Sequence, residues 1–325
     1  MRARLHASLL LLLAAGALSG CSRNSAVTNP ASTLNASNNT QVVAELTAQP
    51  GVIEDGVSDD QTEMTSSAIG GLSAIRPLTF WRHFNSRERH FEIAYSDTDS
   101  TGVPTRAVAT ITTHLTGTFN ILAGAPSSDS SGAGAGAVAS DSTRRRIQKP
   151  LDETRIRKVL LRRQRLPHDV PRDADCENDS LRVRWRAAGL TGALVTSADN
   201  TVQIQALRIQ CGAVDTTITD PLAFVRLRRL LRFEPGAPVT LTVTTTHTDD
   251  VVLFHHNGRR LRLTGNGDGT YTGVLASRRF ARGLWHFGVD ALSHGTLYDD
   301  AASYDSQRWA FPYVIAPNRM DGPAL

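Results

Sequence analysis

Val239-Thr240-Leu241-Thr242-Val243 is the stretch that decides the fold class, because an apolar residue stands at every second position. This alternation is typical of a β-strand that buries one face. Short apolar runs separated by turn residues continue towards the end of the chain, and such spacing indicates a β-sandwich. They are Val251–Phe254, Leu261–Leu263, the strand after the turn Gly265–Thr272, Leu284–Val289 and Phe311–Ile315.

Two motifs in this region resemble parts of a known class of module. Asp268-Gly269-Thr270-Tyr271 and Gly283-Leu284-Trp285-His286-Phe287 are similar to segments of the immunoglobulin-like modules of bacterial surface proteins and of filamin-type repeats. The resemblance covers residues 234–317 and implies an immunoglobulin-like β-sandwich there, although the chain lacks the Cys…Trp…Cys spacing of antibody domains. We expect Asp268-Gly269 to form a two-residue turn with positive φ at both positions, and Tyr271 to point into the core.

The sequence pattern of the preceding residues, 72–233, also predicts strands. Phe91–Tyr95 alternates with period two, Ser96–Gly102 is rich in turn residues, and Val108–His114 is β-branched, so together they predict a hairpin. Residues 125–143 are rich in Ser, Gly and Ala, which predicts a disordered insert. The fold class is therefore expected to be mainly β, with a β-rich middle domain before the C-terminal sandwich.

The N-terminus has the order of features found in a secretory signal peptide. Arg2 and Arg4 precede the apolar run Leu9–Leu18, which is too short to span a bilayer. Leu18-Ser19-Gly20-Cys21 resembles the lipobox of bacterial lipoproteins. That resemblance implies removal of residues 1–20 and acylation of Cys21, for example with palmitate. In such proteins an Asp directly after the cysteine favours retention in the inner membrane. This chain has Ser22 at that position, which favours the outer membrane of the cell envelope.

Residues 21–71 are rich in Ser, Thr, Asn and Ala and nearly free of aromatic residues, so we expect a flexible tether behind the lipid. Residues 318–325 form a short tail. Two further cysteines, Cys176 and Cys211, follow the lipidated cysteine. An exported chain is in an oxidising compartment, where disulfides persist. The sequence therefore predicts a Cys176–Cys211 disulfide, with two unpaired thiols as the open alternative.

The net charge of +4 is unevenly spread, because ten basic residues lie between Arg144 and Arg165 against only Asp152 and Glu153. Arginine can bind phosphate bidentately, which makes an anionic ligand conceivable. A solvated face is the favoured interpretation of such a run, and nucleic acid is an unlikely partner. The stretch Arg155–Leu161 fits either a helix face or a strand.

Asp97 and Asp99 stand at alternate positions before Gly102, which suits either a cation site or a turn. An EF-hand is excluded because the position of its bidentate Glu is occupied by Val108. A turn is the favoured prediction.

Four histidines lie within 40 residues near three aspartates, a composition that zinc sites use. On alternating strands His255 and His256 point to opposite faces, so edge or surface positions are expected for them. The full set is His255, His256, His286 and His294 with Asp290, Asp299 and Asp300.

Ser293-His294 is an adjacent pair and not a catalytic triad, and no Gly-x-Ser-x-Gly elbow is present. The sequence therefore predicts no catalytic residue, cofactor or metal. Residues 295–300 with Tyr304 and Asp305 are either a recognition surface or a loop that closes the sandwich.

These observations favour a non-enzymatic envelope lipoprotein with a binding or structural role. Its partners would be the membrane, through the lipid, and an envelope protein or polysaccharide. One alternative is an enzyme or metal-dependent module with a site assembled from scattered His and Asp residues. Another is an adhesin or an export accessory protein.

Overall fold

The computed structural model describes residues 33–53, 62–63, 75–124, 144–165, 183–256, 259–277 and 284–315. Within these ranges the chain is mainly β, as the sequence predicts, and nearly all strand pairs are antiparallel. The helices in these ranges are α1 (Thr33–Thr47), α2 (Pro50–Ile53), a 3₁₀ turn (Leu227–Arg229) and α3 (His294–Tyr298).

The strands carry the alternating sequences identified above, and three of them are unusually long. The first eight are β1 (Thr62–Glu63), β2 (Arg76–Thr98), β3 (Pro104–Gly124), β4 (Arg145–Arg165), β5 (Val183–Ser197), β6 (Ile204–Cys211), β7 (Val214–Ile218) and β8 (Val225–Arg226). The next eight are β9 (Leu231–Phe233), β10 (Pro238–Thr245), β11 (Val251–His256), β12 (Arg259–Arg262), β13 (Thr264–Gly265), β14 (Thr270–Ala276), β15 (Leu284–Leu292) and β16 (Ser306–Ile315).

The strands form two sheets. The larger has the order β1-β2-β3-β4-β5-β16-β15-β11-β12, with β8 beside β5 and β9 beside β16, and the smaller has the order β13-β14-β10-β6-β7. The smaller sheet packs on one face of the larger, where alternate side chains of both sheets build a common apolar core. Leu207, Leu241 and Val243 from the smaller sheet share this core with Val289 and Trp309 from the larger one.

The other face of the larger sheet is also enclosed, because the sheet curves back towards itself. Arg82 on β2 contacts Asp290 on β15, although four strands separate β2 from β15 in the sheet order. Two further apolar clusters lie on this face. One contains Phe80, Phe119 and Leu297, and the other surrounds Trp185.

The predicted boundary at residues 233/234 does not separate two structural units. β10 pairs with β6, and β16 pairs with β5, so strands from both sides of the boundary lie in both sheets. The prediction of a self-contained sandwich at 234–317 is corrected accordingly. Short-range alternation identifies strands but carries no information on which distant strand completes a sheet.

The predicted tether at 21–71 is wrong for residues 33–53, which form α1 and α2. Val42 and Leu46 lie four residues apart on α1 and are buried, together with Val52 and Ile53. These side chains pack in the same cluster as Trp185. The average composition of the segment is polar, but four well-placed apolar residues are enough to dock it.

The hairpin predicted around Ser96–Gly102 is confirmed as the connection between β2 and β3, although its strands are far longer than expected, at 23 and 21 residues. The sequence left helix and strand open for Arg155–Leu161, and these residues form a strand within β4.

The Asp268-Gly269 turn differs from the prediction. Positive φ values occur at Gly267 (86°) and Gly269 (84°) and not at Asp268, so the loop is longer than two residues. The Asp268 carboxylate instead accepts hydrogen bonds from the amide and hydroxyl of Thr270. Tyr271 is buried in the sandwich core, as predicted.

Several predicted features lie outside the described residues, namely the signal peptide 1–20, Cys21, the insert 125–143, Cys176 and the tail 318–325. Cys211 is buried and forms no disulfide with a described residue. Its bridge to Cys176 stays a prediction. None of the helices within the described ranges is long and apolar enough to span a bilayer.

Candidate functional site

A group of buried charged side chains fills the enclosed face of the larger sheet. We call Arg82, Glu153, Asp290, Tyr304 and Arg308 the buried cluster; all five are at most 5% exposed. Alternation along β2, β4, β15 and β16 points one residue of each strand into this space. Curvature of the sheet then brings together residues that are more than 70 positions apart in the chain.

Arg82 is the centre of the buried cluster. Its guanidinium donates to both carboxylate oxygens of Asp290, at 2.7 and 3.0 Å, and its Nε donates to Glu153 Oε1 at 3.1 Å. The Arg308 Nη2 donates to Glu153 Oε2 at 2.9 Å, and the Tyr304 hydroxyl donates to Glu153 Oε1. Both carboxylates are therefore paired with arginine, which is the arrangement that permits buried charges.

The pKa values follow from this pairing. Burial opposes the charge of Asp290, but the attraction of Arg82 outweighs it and holds the pKa of that carboxyl well below its ordinary value. Burial raises the pKa of Tyr304 above the ordinary value for a phenol. At neutral pH the aspartate is therefore ionised and the phenol protonated. The oxygens of both acids are occupied by arginine, so the cluster resembles a structural network more than a set of acid–base catalysts.

His255 borders the buried cluster, with its Nε2 3.3 Å from Asp290 Oδ2. Burial lowers its pKa to about 4, with a further contribution from the positive charge of Arg260. Burial and the neighbouring Arg82 also lower the pKa of Arg260 to about 10. The prediction of an edge or surface position for His255 is wrong, because the side chain is only 8% exposed.

The other histidines are dispersed. His256 points to the sandwich side and hydrogen-bonds with the Tyr313 hydroxyl, which confirms that His255 and His256 face opposite ways. His286 lies beside Arg157, and His294 is exposed at the start of α3. Across the described ranges, no group of three or more His, Cys, Asp or Glu side chains is placed to hold a metal.

The remaining predicted residues have structural partners. The Asp99 carboxylate accepts bonds from the amides of Thr101 and Val103, so the favoured turn is confirmed. Ser293 caps α3 by accepting from the Thr296 amide. The loop after α3 closes the structure, because Tyr304 and Asp305 are buried. Of the two alternatives, a recognition surface or a closing loop, Tyr304 and Asp305 therefore belong to a closing loop. Asp299 and Asp300, in contrast, are exposed.

The arginine-rich run from Arg144 to Arg165 is not simply a solvated face. Lys149, Arg155 and Arg157 are buried on the enclosed side of β4. Lys149 Nζ donates to the backbone oxygens of Gly295, in the first turn of α3, and of Asp299, directly after that helix. The sequence showed the charges but not that every second residue of β4 points inward.

A surface groove of about 360 Å³ is the second candidate site. It runs between β7 and the segment that leads from Asp220 to Leu231, with Gly192, Phe311 and Pro312 beneath it. The lining residues are Gly192, Thr216, Thr217, Ile218, Thr219, Asp220, Ala223, Val225, Arg229, Leu230, Leu231, Phe311 and Pro312.

Local sequence explains the walls of the groove. Gly212 has φ +55° and forms the tight turn that returns the chain into β7, which is the last strand of the smaller sheet. Asp220 begins a turn in which its carboxylate accepts a hydrogen bond from the Leu222 amide. The floor is close-packed, because a Cβ on Gly192 would lie 2.8 Å from the Pro221 carbonyl oxygen.

Four arginines stand on the segment that forms one wall. We call Arg226, Arg228, Arg229 and Arg232 the arginine ridge; all four are exposed. Phe224 and Val225 beside them are also exposed, at 44% and 37%. The run was not among the predicted features, although four arginines within seven residues are a visible signal in the sequence.

Comparisons with known proteins give no guidance on the function of these two sites. No family model matches the chain, and no curated protein or solved structure matches it either.

Proposed function

We propose that the chain is a lipid-anchored protein of the bacterial cell envelope, most consistent with the outer membrane, that binds another envelope molecule in the groove. The observation that carries the binding role is the groove itself, which combines apolar side chains such as Leu230 and Leu231 with the positive charge of Arg229. Concave surfaces with a few polar groups among apolar ones are typical binding sites. The lipobox around Cys21 supports the anchor.

An enzymatic role has less support in the described residues. Glu153 and Asp290, the two acids of the buried cluster, are paired with Arg82 and Arg308, and each of their carboxylate oxygens accepts a hydrogen bond from one of these arginines. That residues 234–317 are related to immunoglobulin-like modules stays a proposal, which rests on the two motifs named in the sequence.

The anchor is tested by metabolic labelling with a clickable fatty acid. Replacing Cys21 with Ala should abolish the label and leave the precursor uncleaved. Cys176→Ala is the matched control, because it removes a cysteine without touching the lipobox and should keep the label. Label on the Cys21→Ala variant would show that the anchor proposal is wrong.

Binding in the groove is tested by photo-crosslinking in the native envelope. A photoreactive residue replaces Ala223, which is exposed and lines the groove. The same residue replaces Val274, which is 57% exposed on β14, as the control. We expect a discrete adduct at position 223 that is absent at 274 and is lost when Arg229 is changed to Glu. Identical patterns at both positions would rule out the groove as the binding surface.

A further inference from the structure

We infer that the groove binds an extended segment of another protein in which acidic and apolar side chains alternate. This segment would add as a strand to the open edge of β7. This inference rests on the proposed binding function of the groove and specifies the chemistry of its ligand.

The first step is the geometry of the β7 edge. The β6–β7 hairpin closes at Cys211 and Val214. In an antiparallel pair of this register, the backbone groups of Val214, Thr216 and Ile218 face β6, and those of the residues between them face away. In the described part of the chain no further strand pairs with β7, so these outward N–H and C=O groups form an open edge.

The second step is the position of that edge. Thr217 provides outward-facing backbone groups within β7, and it lines the groove together with Thr219, which follows the strand. A strand added there would lie in the groove, because neighbouring strands are about 4.8 Å apart. The main-chain hydrogen bonds would provide affinity and the side-chain pockets specificity, as in other cases of strand addition.

The arginine ridge carries the charge that a ligand in the groove has to complement. Among the described residues, no carboxylate forms an ion pair with any arginine of the arginine ridge. Asp220 is the one acidic residue in the lining, and its carboxylate is engaged by the Leu222 amide. Arginine binds carboxylates in bidentate geometry, so acidic side chains on the incoming segment complement this wall.

The fourth step is the apolar floor. Successive side chains of a strand point to opposite sides, so every second residue of the incoming segment would face Leu230, Leu231 and Phe311. An alternating acidic and apolar segment satisfies both surfaces. A flat anionic membrane would contact the arginines but would leave the concave floor and the β7 backbone groups unoccupied.

The test uses the full mature chain in neutral detergent and three capped peptides of eight residues. One alternates Val and Glu, the second alternates Val and Lys, and the third is the Val/Glu peptide with N-methyl groups on alternate amides. Fluorescence anisotropy should show at least tenfold weaker binding for the second and third peptides. Hydrogen exchange at the amides of Asp215 and Thr217 should slow only with the first peptide.

Variants separate charge from fold. Arg229→Glu should weaken the Val/Glu peptide at least tenfold, whereas Arg162→Glu, at an exposed position on β4, should leave its affinity unchanged. Equal binding of the N-methylated peptide would overturn strand addition. Binding only to phosphatidylglycerol vesicles would show that the occupant is a membrane and not a peptide. Self-association that protects the same amides would show that the occupant is a second copy of the chain.

The two proposals can fail separately. A crosslink at position 223 without peptide binding would keep the groove as a binding site and remove the peptide as its ligand. Peptide binding with the expected N-methyl and Arg229 dependence, but without a crosslink in the envelope, would place the error in the proposed cellular role.

Discussion

The buried cluster and the arginine ridge use the same side chain in opposite ways. Arg82 and Arg308 are buried and bonded to carboxylates from distant strands. The arginines of the ridge are exposed, and no carboxylate of the described chain pairs with them. The number of arginines in a segment therefore says little about its role. The strand that presents them, and what lies opposite, decides between a structural and a binding residue.

The energetic consequences differ in the same way. Removing one partner from a buried ion pair leaves an uncompensated charge in a medium of low dielectric constant, at a cost of about 3–5 kcal/mol. An exposed pair contributes only about 0–1 kcal/mol, because water solvates both groups.

The largest effect is expected for Asp290→Asn, which leaves the bidentate Arg82 guanidinium without its main counter-charge. We expect the free energy of unfolding in urea at pH 7 to fall by about 3–5 kcal/mol. The matched control is Asp215→Asn, which removes the same charge from an exposed bidentate pair with Arg208. That variant should lose far less stability, because water solvates both groups of the exposed pair. Equal losses would show that burial does not distinguish the two pairs.

An intermediate effect is expected from the titration of His255. Its pKa is about 4 in the folded protein and about 6.5 when unfolded. The unfolded chain therefore binds the proton more readily, and stability is complete above pH 6.5 and is lost as the pH falls towards 4. Between pH 7 and pH 5 this group should account for a loss of about 2 kcal/mol.

The variant His255→Gln isolates this contribution from the other histidines. Urea unfolding at pH 7 and pH 5 should show a smaller pH-dependent loss in the variant, by about 2 kcal/mol. His294→Gln, at an exposed position, serves as the control and should keep the pH dependence of the original protein. The burial argument would fail if the two variants had the same pH profile.

Much of the fold was predictable, because period-two alternation acts over a few residues. It identified the β2–β3 hairpin and strands such as β10, and it placed Tyr271 in the core. Long-range features were not predictable in this way. Arg82 and Asp290 lie 208 residues apart, and only the curvature of the sheet brings them together.

The groove was partly predictable from the sequence. The arginines between Arg226 and Arg232 are visible in it, but nothing local indicates that β7 is the last strand of its sheet. The docking of α1 is a similar case. Val42 and Leu46 have helical spacing, yet the polar composition around them concealed the surface that they bury.

The smallest effect is expected within the arginine ridge. Arg228→Gln removes an exposed charge that no described carboxylate neutralises, and it leaves like charges at Arg226 and Arg229. The free energy of unfolding should change by less than about 0.5 kcal/mol, with any change in the stabilising direction because repulsion is reduced. Raising the salt concentration should remove even this difference, since exposed charges are screened. A loss above 1 kcal/mol would mean that the ridge is held by contacts within the fold, and that its charges are not available to a partner.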